Sequence, residues 1–194
     1  MKTADLQKIR KAMEKELSPK RYEHTLSVAY TAASLAMVHG ENTDSAILAG
    51  MLHDCAKCLS ENKLISICEK NNLHISEVER ENPMALLHAG VGSFLAHEKY
   101  GISDKDILNA IKYHTTGRPK MSRLEKILYI ADYIEPGRKH AANLEQIRRM
   151  AFQDLDTTLI KILDDTLAYL LSTDGKIDPM TRESYNYYKN VSAE

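Results

Sequence analysis

Ala49-Gly50-Met51-Leu52-His53-Asp54 is the stretch on which the fold of this chain turns. An apolar helical run ends there in an imidazole and a carboxylate side by side, where a core-facing helix would carry more Leu or Ala. Burying either group without a partner costs several kcal/mol, and an ionised carboxylate costs more. A divalent metal is one compensation, since imidazole and carboxylate are its commonest nitrogen and oxygen ligands. A salt-bridged or capped pair at a helix end is the other. For the doublet alone the second is the plainer reading, and the rest of the chain reverses it.

Outward from this run the chain reads as helix after helix. Thr43 is the expected cap of the helix that delivers the doublet, spanning 44–57. Before it, 5–17 carries Leu6, Ile9, Met13 and Leu17 on one stripe. Ser18 and Pro19 then open a helix that Gly40 closes, following the preference for a hydroxyl cap, proline at the first position and glycine at the end. Its small face, Ala29, Ala32, Ala33 and Ala36, suits close packing on another helix, and His24 lies one turn before Val28 and points inward with it. After the doublet, Ser60 starts a helix through Cys68, and Ser76 to Glu79 has capping-box form with Pro83 close behind. Residues 84–100 read as one helix carrying His88 among apolar neighbours. Ser103 is the expected cap of the next helix, which ends at Tyr113-His114-Thr115-Thr116-Gly117. The capping box Ser122 to Glu125 launches a helix that turns Asp132 toward the core, and Glu135-Pro136-Gly137-Arg138 breaks it. Helices over 144–152, 155–171 and 179–188 follow, with Tyr185, Tyr187 and Tyr188 expected to pack on the bundle.

Composition agrees with an all-α class. The chain has 194 residues, 43% of them hydrophobic, with only 8 Gly and 5 Pro, enough for a single domain over 1–194 with its core at about 17–188 and the first helix, 5–17, packed on it. With 26 basic and 27 acidic residues the formal charge is -1, which gives no general attraction to nucleic acid or anionic membrane. The N-terminus lacks a signal-peptide core and no run is long enough to span a bilayer, so a cytoplasmic protein is expected. Cys55 and Cys58 form a C-x-x-C, but no second pair and no preceding strand accompany it, which makes redox or zinc use a weak reading.

His24, His53, Asp54, His88, His114 and Asp132 all fall next to core positions. Six metal-competent groups in one small helical domain are hard to hide separately, and bundles build metal sites from side chains projecting inward from facing helices. Six ligands exceed the needs of one tetrahedral ion and suit two ions sharing a carboxylate, with Asp54 the natural bridge.

The order His…His-Asp…His…His…Asp resembles the HD-domain phosphohydrolase superfamily. Longer strings, Tyr22-Glu23-His24-Thr25, His53-Asp54-Cys55-Ala56-Lys57, Leu87-His88-Ala89, His114-Thr115-Thr116-Gly117-Arg118 and Ala131-Asp132-Tyr133-Ile134-Glu135-Pro136-Gly137-Arg138, resemble the YqeK family of symmetrical dinucleoside tetraphosphate hydrolases from about residue 17 to 188. The resemblance implies a helical HD bundle around a dinuclear centre, with iron as the metal, cleaving diadenosine tetraphosphate into two ADP. It implies His24, His53, Asp54, His88, His114 and Asp132 as ligands and Asp54 and Lys57 as the catalytic pair. It places Arg21, Lys57, Thr115, Thr116, Gly117, Arg118, Glu135 and Arg138 around the substrate phosphates.

The chemistry of the residues is compatible with this. Two metals can orient a water for in-line attack on phosphorus while neutralising the oxygens that gain charge. Lys57, one turn after His53, suits a phosphate beside that metal, Arg138 suits bidentate clamping, and Thr115, Thr116 and Gly117 offer donors with room for close approach. A solvated cation at a helix end is the plainer account of either basic residue. No Gly-rich phosphate loop occurs. The expected partner is a small dinucleoside polyphosphate, with neither nucleic acid nor membrane, and the small-residue faces would permit a homodimer. The alternatives are another nucleotide phosphohydrolase on the same scaffold and a nucleotide-sensing module without catalysis. Against alarmone hydrolysis stands Cys55-Ala56-Lys57-Cys58, where such relatives carry an acidic pair, and against cyclic-dinucleotide cleavage the lack of a Gly-Tyr-Pro motif.

Overall fold

The computed structural model describes residues 3–139, 143–173 and 175–191, the first three by backbone alone, and among them there is no strand. Eleven helices follow in order: α1 (Thr3–Glu16), α2 (Pro19–His39), α3 (Thr43–Leu52), α4 (Glu61–Lys70), α5 (Glu77–Glu81), α6 (His88–Glu98), α7 (Lys105–Tyr113), α8 (Arg123–Ile134), α9 (Leu144–Ala151), α10 (Leu155–Leu171) and α11 (Pro179–Val191). A π-helical turn, Pro83–Leu87, runs directly into α6.

The caps explain where these elements begin. Ser18 Oγ accepts from the Arg21 amide, Pro19 opens α2, and Gly40 closes it in the left-handed region at φ 68°. Both capping boxes form, at Ser76 with Glu79 and at Ser122 with Glu125. Two expected caps shift by one residue. Asn42, not Thr43, caps α3 by accepting from the Ser45 amide at 2.8 Å, and Asp104, not Ser103, caps α7 through the Asp106 amide at 2.8 Å. Asn and Asp present a carbonyl or carboxylate oxygen there, and both have the extended backbone a cap needs.

Two expected helices are shorter than the periodicity implied. The third stops at Leu52 rather than 57, and residues 53–59 continue as tight turns with i to i+3 bonds such as Lys57 to Asp54 at 2.9 Å. The cause is His53, whose Nδ1–H donates to the Gly50 carbonyl at 2.7 Å and takes the acceptor that the Asp54 amide would use in a continuing helix. The helix expected over 84–100 is interrupted by the π turn, so α6 begins at His88 itself.

The main buried cluster runs from Ile9 and Met13 on α1 to Tyr188 on α11, and a smaller one, with Leu64, Cys68 and Val91, lies beneath α4. Leu35, Leu52 and Leu128 are each wholly buried, worth about 1.5–3 kcal/mol apiece relative to exposure. The alanine face of α2 packs on α3, and a Cβ at Gly50 would lie 2.5 Å from the Ala29 Cα, so only glycine lets these helices cross so closely. The three tyrosines of α11 pack as expected. Tyr188 is buried with its hydroxyl accepting from the Met121 amide at 2.7 Å, and Tyr185 and Tyr187 lie half-buried on the core.

This arrangement gathers one end of the bundle. α2 and α6 begin there and α3, α7 and α8 end there, so His24, His53, His88, His114 and Asp132 arrive from five elements at a common point.

Candidate metal centre

Asp54, only 2% exposed, sits at the middle of the gathered end, in the turn that follows α3. Its Oδ2 lies 3.4 Å from His53 Nε2 and 3.7 Å from His24 Nε2. Its Oδ1 lies 3.3 Å from His88 Nε2 and 3.8 Å from His114 Nε2. One carboxylate therefore faces a pair of imidazoles with each oxygen. Asp132 completes the first side, its Oδ1 3.1 Å from His24 Nε2.

Three of the four rings are engaged on the outer side, while His88 Nδ1 is buried with no hydrogen-bond partner among the described residues. His53 Nδ1 donates to the Gly50 carbonyl and His114 Nδ1 to the Ile111 carbonyl, both at 2.7 Å, and each histidine caps the C-terminus of its own helix. His24 Nδ1 meets the Glu135 carboxylate at 3.2 Å. With Nδ1 protonated, Nε2 presents a lone pair inward, the tautomer a metal ligand needs. The Nε2 atoms of His24 and His53 are 3.4 Å apart and those of His88 and His114 3.2 Å apart. Facing lone pairs repel unless something positive stands between them. Asp54 Oδ1 makes the same demand, being buried with no hydrogen-bond donor among the described residues.

Two groupings of donor atoms compact enough for an ion emerge, His24 with His53 and Asp132, and His53 with Asp54 and His114. His88 stands beside the second. Neither grouping contains a cysteine. Cys55 is buried against the Gly92 carbonyl with burial pushing its thiol up, and Cys58 is exposed.

The protonation equilibria fit a site poised for cations. Burial would raise the Asp54 carboxyl, yet His53, His88 and His114 together outweigh it and the group is held well below the carboxylate range. Asp132 is held far down as well, burial being overcome by its bond to His24 together with the charges of His53, Arg138 and His114. Burial and then the neighbouring His53 and His88 depress His114 to about 3, and burial lowers His88. His53 goes the other way, because Asp54 outweighs its burial.

The remaining expected residues divide. Arg21 Nη1 reaches Asp54 Oδ2 at 2.8 Å, and Lys57, lowered by burial, reaches the Met84 carbonyl at 2.5 Å beside it. Arg138 reaches Asp132 Oδ1 at 2.8 Å and its backbone carbonyl at 3.0 Å. Thr115 and Thr116 follow His114 directly, with the Thr116 hydroxyl donating to the Gly117 carbonyl at 2.9 Å. Gly117 takes φ 64° and faces Ser184 of α11. Arg118 is not brought to the centre. It pairs with Glu125 at the opposite end of α8 through two bonds of 2.8 Å. Glu135, 3% exposed, faces His24 rather than open space, and its other oxygen accepts from the Gly137 amide at 2.5 Å. A Cβ at Gly137 would lie 2.9 Å from that oxygen.

Sequence reasoning missed Arg148 on α9. It donates to the carbonyls of Ile134 and Glu135 at 2.8 Å and of Arg138 at 3.2 Å, fixing the turn that carries Glu135 and Arg138. Its position on a strongly amphipathic helix carried no local signal of that task.

Comparison with known proteins agrees with this geometry. The model of the HD domain family matches residues 21–137. The chain is 39% identical over 170 residues, 88% of this chain and 89% of the relative, to a symmetrical bis(5'-nucleosyl)-tetraphosphatase of Halalkalibacterium halodurans. It is 37% identical over 192 residues, 98% of this chain and 97% of the relative, to one of Staphylococcus aureus bearing the same name. Among solved structures, a protein from Clostridium acetobutylicum described as a predicted HD superfamily hydrolase involved in NAD metabolism is 41% identical and superposes with a TM-score of 0.90 over 97% of both chains.

Proposed function

The chain belongs to the HD-domain family, and from that premise we propose that it hydrolyses diadenosine tetraphosphate symmetrically to two ADP, using metal held by His24, His53, Asp54, His88, His114 and Asp132. The observation that carries the assignment of ligands is the bridging position of Asp54, one oxygen toward His24 and His53 and the other, undonated, toward His88 and His114. When bound, such a pair of ions supplies a nucleophile from water near neutral pH and offsets the charge that develops on phosphoryl oxygens.

The chain's own groups supply the rest. Arg21 is fixed at the rim of the site by Asp54 and offers its remaining guanidinium donors to a phosphate, while Lys57 adds a second cation on the same side. Arg138 holds Asp132 in register with His24 and keeps donors facing outward. Thr115, Thr116 and Gly117 are the proposed polar contacts on the His114 side. Glu135 and Arg118 act as supports, the first orienting the His24 ring and the second anchoring the start of α8.

The proposed metal is iron, on the family resemblance, and the proposed setting is the cytoplasm; no described helix is long and apolar enough to cross a membrane. A single HD domain over 1–194 is proposed with them. The alanine face of α2 is buried on α3 within the chain, so it lends no support to a homodimer.

The test is anaerobic incubation of the protein and ferrous iron with diadenosine tetraphosphate, followed by anion-exchange chromatography, with His53→Ala as control. ADP as sole product from the wild type alone supports the reading. AMP with ATP would make the cut asymmetric, and intact substrate with retained nucleotide binding would favour a sensing module.

A further inference from the structure

Arg148 on α9 spends its guanidinium on the main chain of another element. Nε donates to the Ile134 carbonyl and Nη2 to the Glu135 carbonyl, both at 2.8 Å, and Nη2 reaches the Arg138 carbonyl at 3.2 Å. Carbonyls at a helix C-terminus lack partners within their helix, so an arginine supplied by α9 is a cap for the end of α8. Two of the residues it holds have a second task, because each touches a proposed ligand. Glu135 Oε1 stands 3.2 Å from His24 Nδ1, and Arg138 bonds to Asp132 through Oδ1 at 2.8 Å and through its carbonyl at 3.0 Å.

His24 and Asp132 belong to one compact grouping of donor atoms, with His53. The other grouping, His53 with Asp54 and His114, is held from elsewhere: His53 by the Gly50 carbonyl, His114 by the Ile111 carbonyl and Asp54 by Arg21. One turn thus supports one half of the centre, and a single side chain from α9 holds the turn. We infer that Arg148 is a positioning residue for one of two metal ions, fixing Glu135 and Arg138 and through them His24 and Asp132, while the half built on Asp54 and His114 is held without it. The inference rests on the reading of these residues as ligands of two ions and adds that the two halves are secured separately. Arg148 also lines a hollow of about 450 Å³ with Thr31, Pro136 and Phe152, so a small cation can reach the place that a truncated side chain vacates.

Manganese titration, with unbound ion read by electron paramagnetic resonance, separates the two halves without recourse to activity. The wild type is expected to take up two ions per chain, and Arg148→Ala to bind one as the wild type does and the other roughly 10–100-fold more weakly, the usual effect of losing an outer support of a ligand. Arg148→Lys keeps the charge but not the planar fork, and a smaller loss confined to the same ion is expected. Guanidinium chloride, well below concentrations that unfold proteins, is expected to strengthen the weakened ion in Arg148→Ala, whereas sodium chloride at equal ionic strength leaves it weak. Equal weakening of both ions, or unchanged binding with only a lowered Tm, would make Arg148 a cap on α8 and nothing more. Equal effects of guanidinium and sodium would likewise overturn the inference, by assigning the loss to packing rather than to the lost donors. Failure of the underlying reading looks different, as wild-type protein that takes up fewer than two ions.

Discussion

The two ends of α8 each carry an arginine-carboxylate pair, and they differ in what is left over. At the start, Glu125 is 1% exposed and saturated, accepting from Arg118 Nε and Nη2 and from the Ser122 amide. At the finish, Asp132 meets Arg138 but also faces His24 Nε2, and beyond it Asp54 keeps an oxygen with no donor among the described residues. A buried carboxylate whose lone pairs are all taken by donors is part of the scaffold. One that faces imidazole lone pairs calls for a cation. The same residue types, one helix apart, thus separate support from chemistry.

The sharpest way to break this contrast is Asp54→Ala. Removing the carboxylate that faces both histidine pairs is expected to abolish metal retention and hydrolysis together, read by elemental analysis and ADP release. Retained metal at the wild-type stoichiometry would show that the bridge is dispensable.

Arg118→Ala probes the other end. It leaves Glu125 buried against an unfilled guanidinium site, expected to cost about 3 kcal/mol and lower Tm by roughly 6–12 °C. Metal content should hold. An unchanged Tm with weakened substrate binding would instead return Arg118 to the phosphates.

Glu135→Ala tests a support that touches a proposed ligand. Loss of the carboxylate behind His24 is expected to lower metal affinity or turnover by roughly 10–100-fold, without the loss of stability expected for Arg118→Ala. Metal titration of the variant checks it.

A further test is pH. In metal-stripped protein His114 is depressed to about 3, so between that value and about 6.5 the unfolded chain binds a proton that the native chain does not. Stability therefore falls as pH drops through that window, by up to about 1.4 kcal/mol per unit from this group, and His88 adds to it in the same sense. His53, raised by Asp54, acts oppositely, and its contribution is lost as pH rises above about 6.5 through its raised value. Denaturant midpoints of the stripped protein should peak near that crossover, and refilling the site with metal should flatten the acid limb.

Much of this was legible in the chain itself. The helices declared themselves through apolar spacing, and Ser18, Ser122 and Gly40 marked boundaries, because periodicity and capping are decided within a few residues. The six ligand candidates stood out because ionisable groups next to core positions must be compensated somehow. Where local signals competed, the reading slipped. Thr43 and Ser103 are acceptable caps beside better ones, and the end of α3 was hidden because the histidine that stops it also continues the apolar pattern.

What the sequence by itself determined is the element order, the helical class and the identity of the groups able to hold metal, all properties of residue type and short-range spacing. Only the tertiary structure decided which oxygen of Asp54 faces which ring, that Glu135 stands behind His24 across 111 residues, that Arg118 is taken by Glu125 while Arg21 and Arg138 reach the centre, and that Arg148 ties the turn between them. The physical reason is that a donor can bond to any acceptor the fold brings within about 3 Å, and that distance is set by how helices pack.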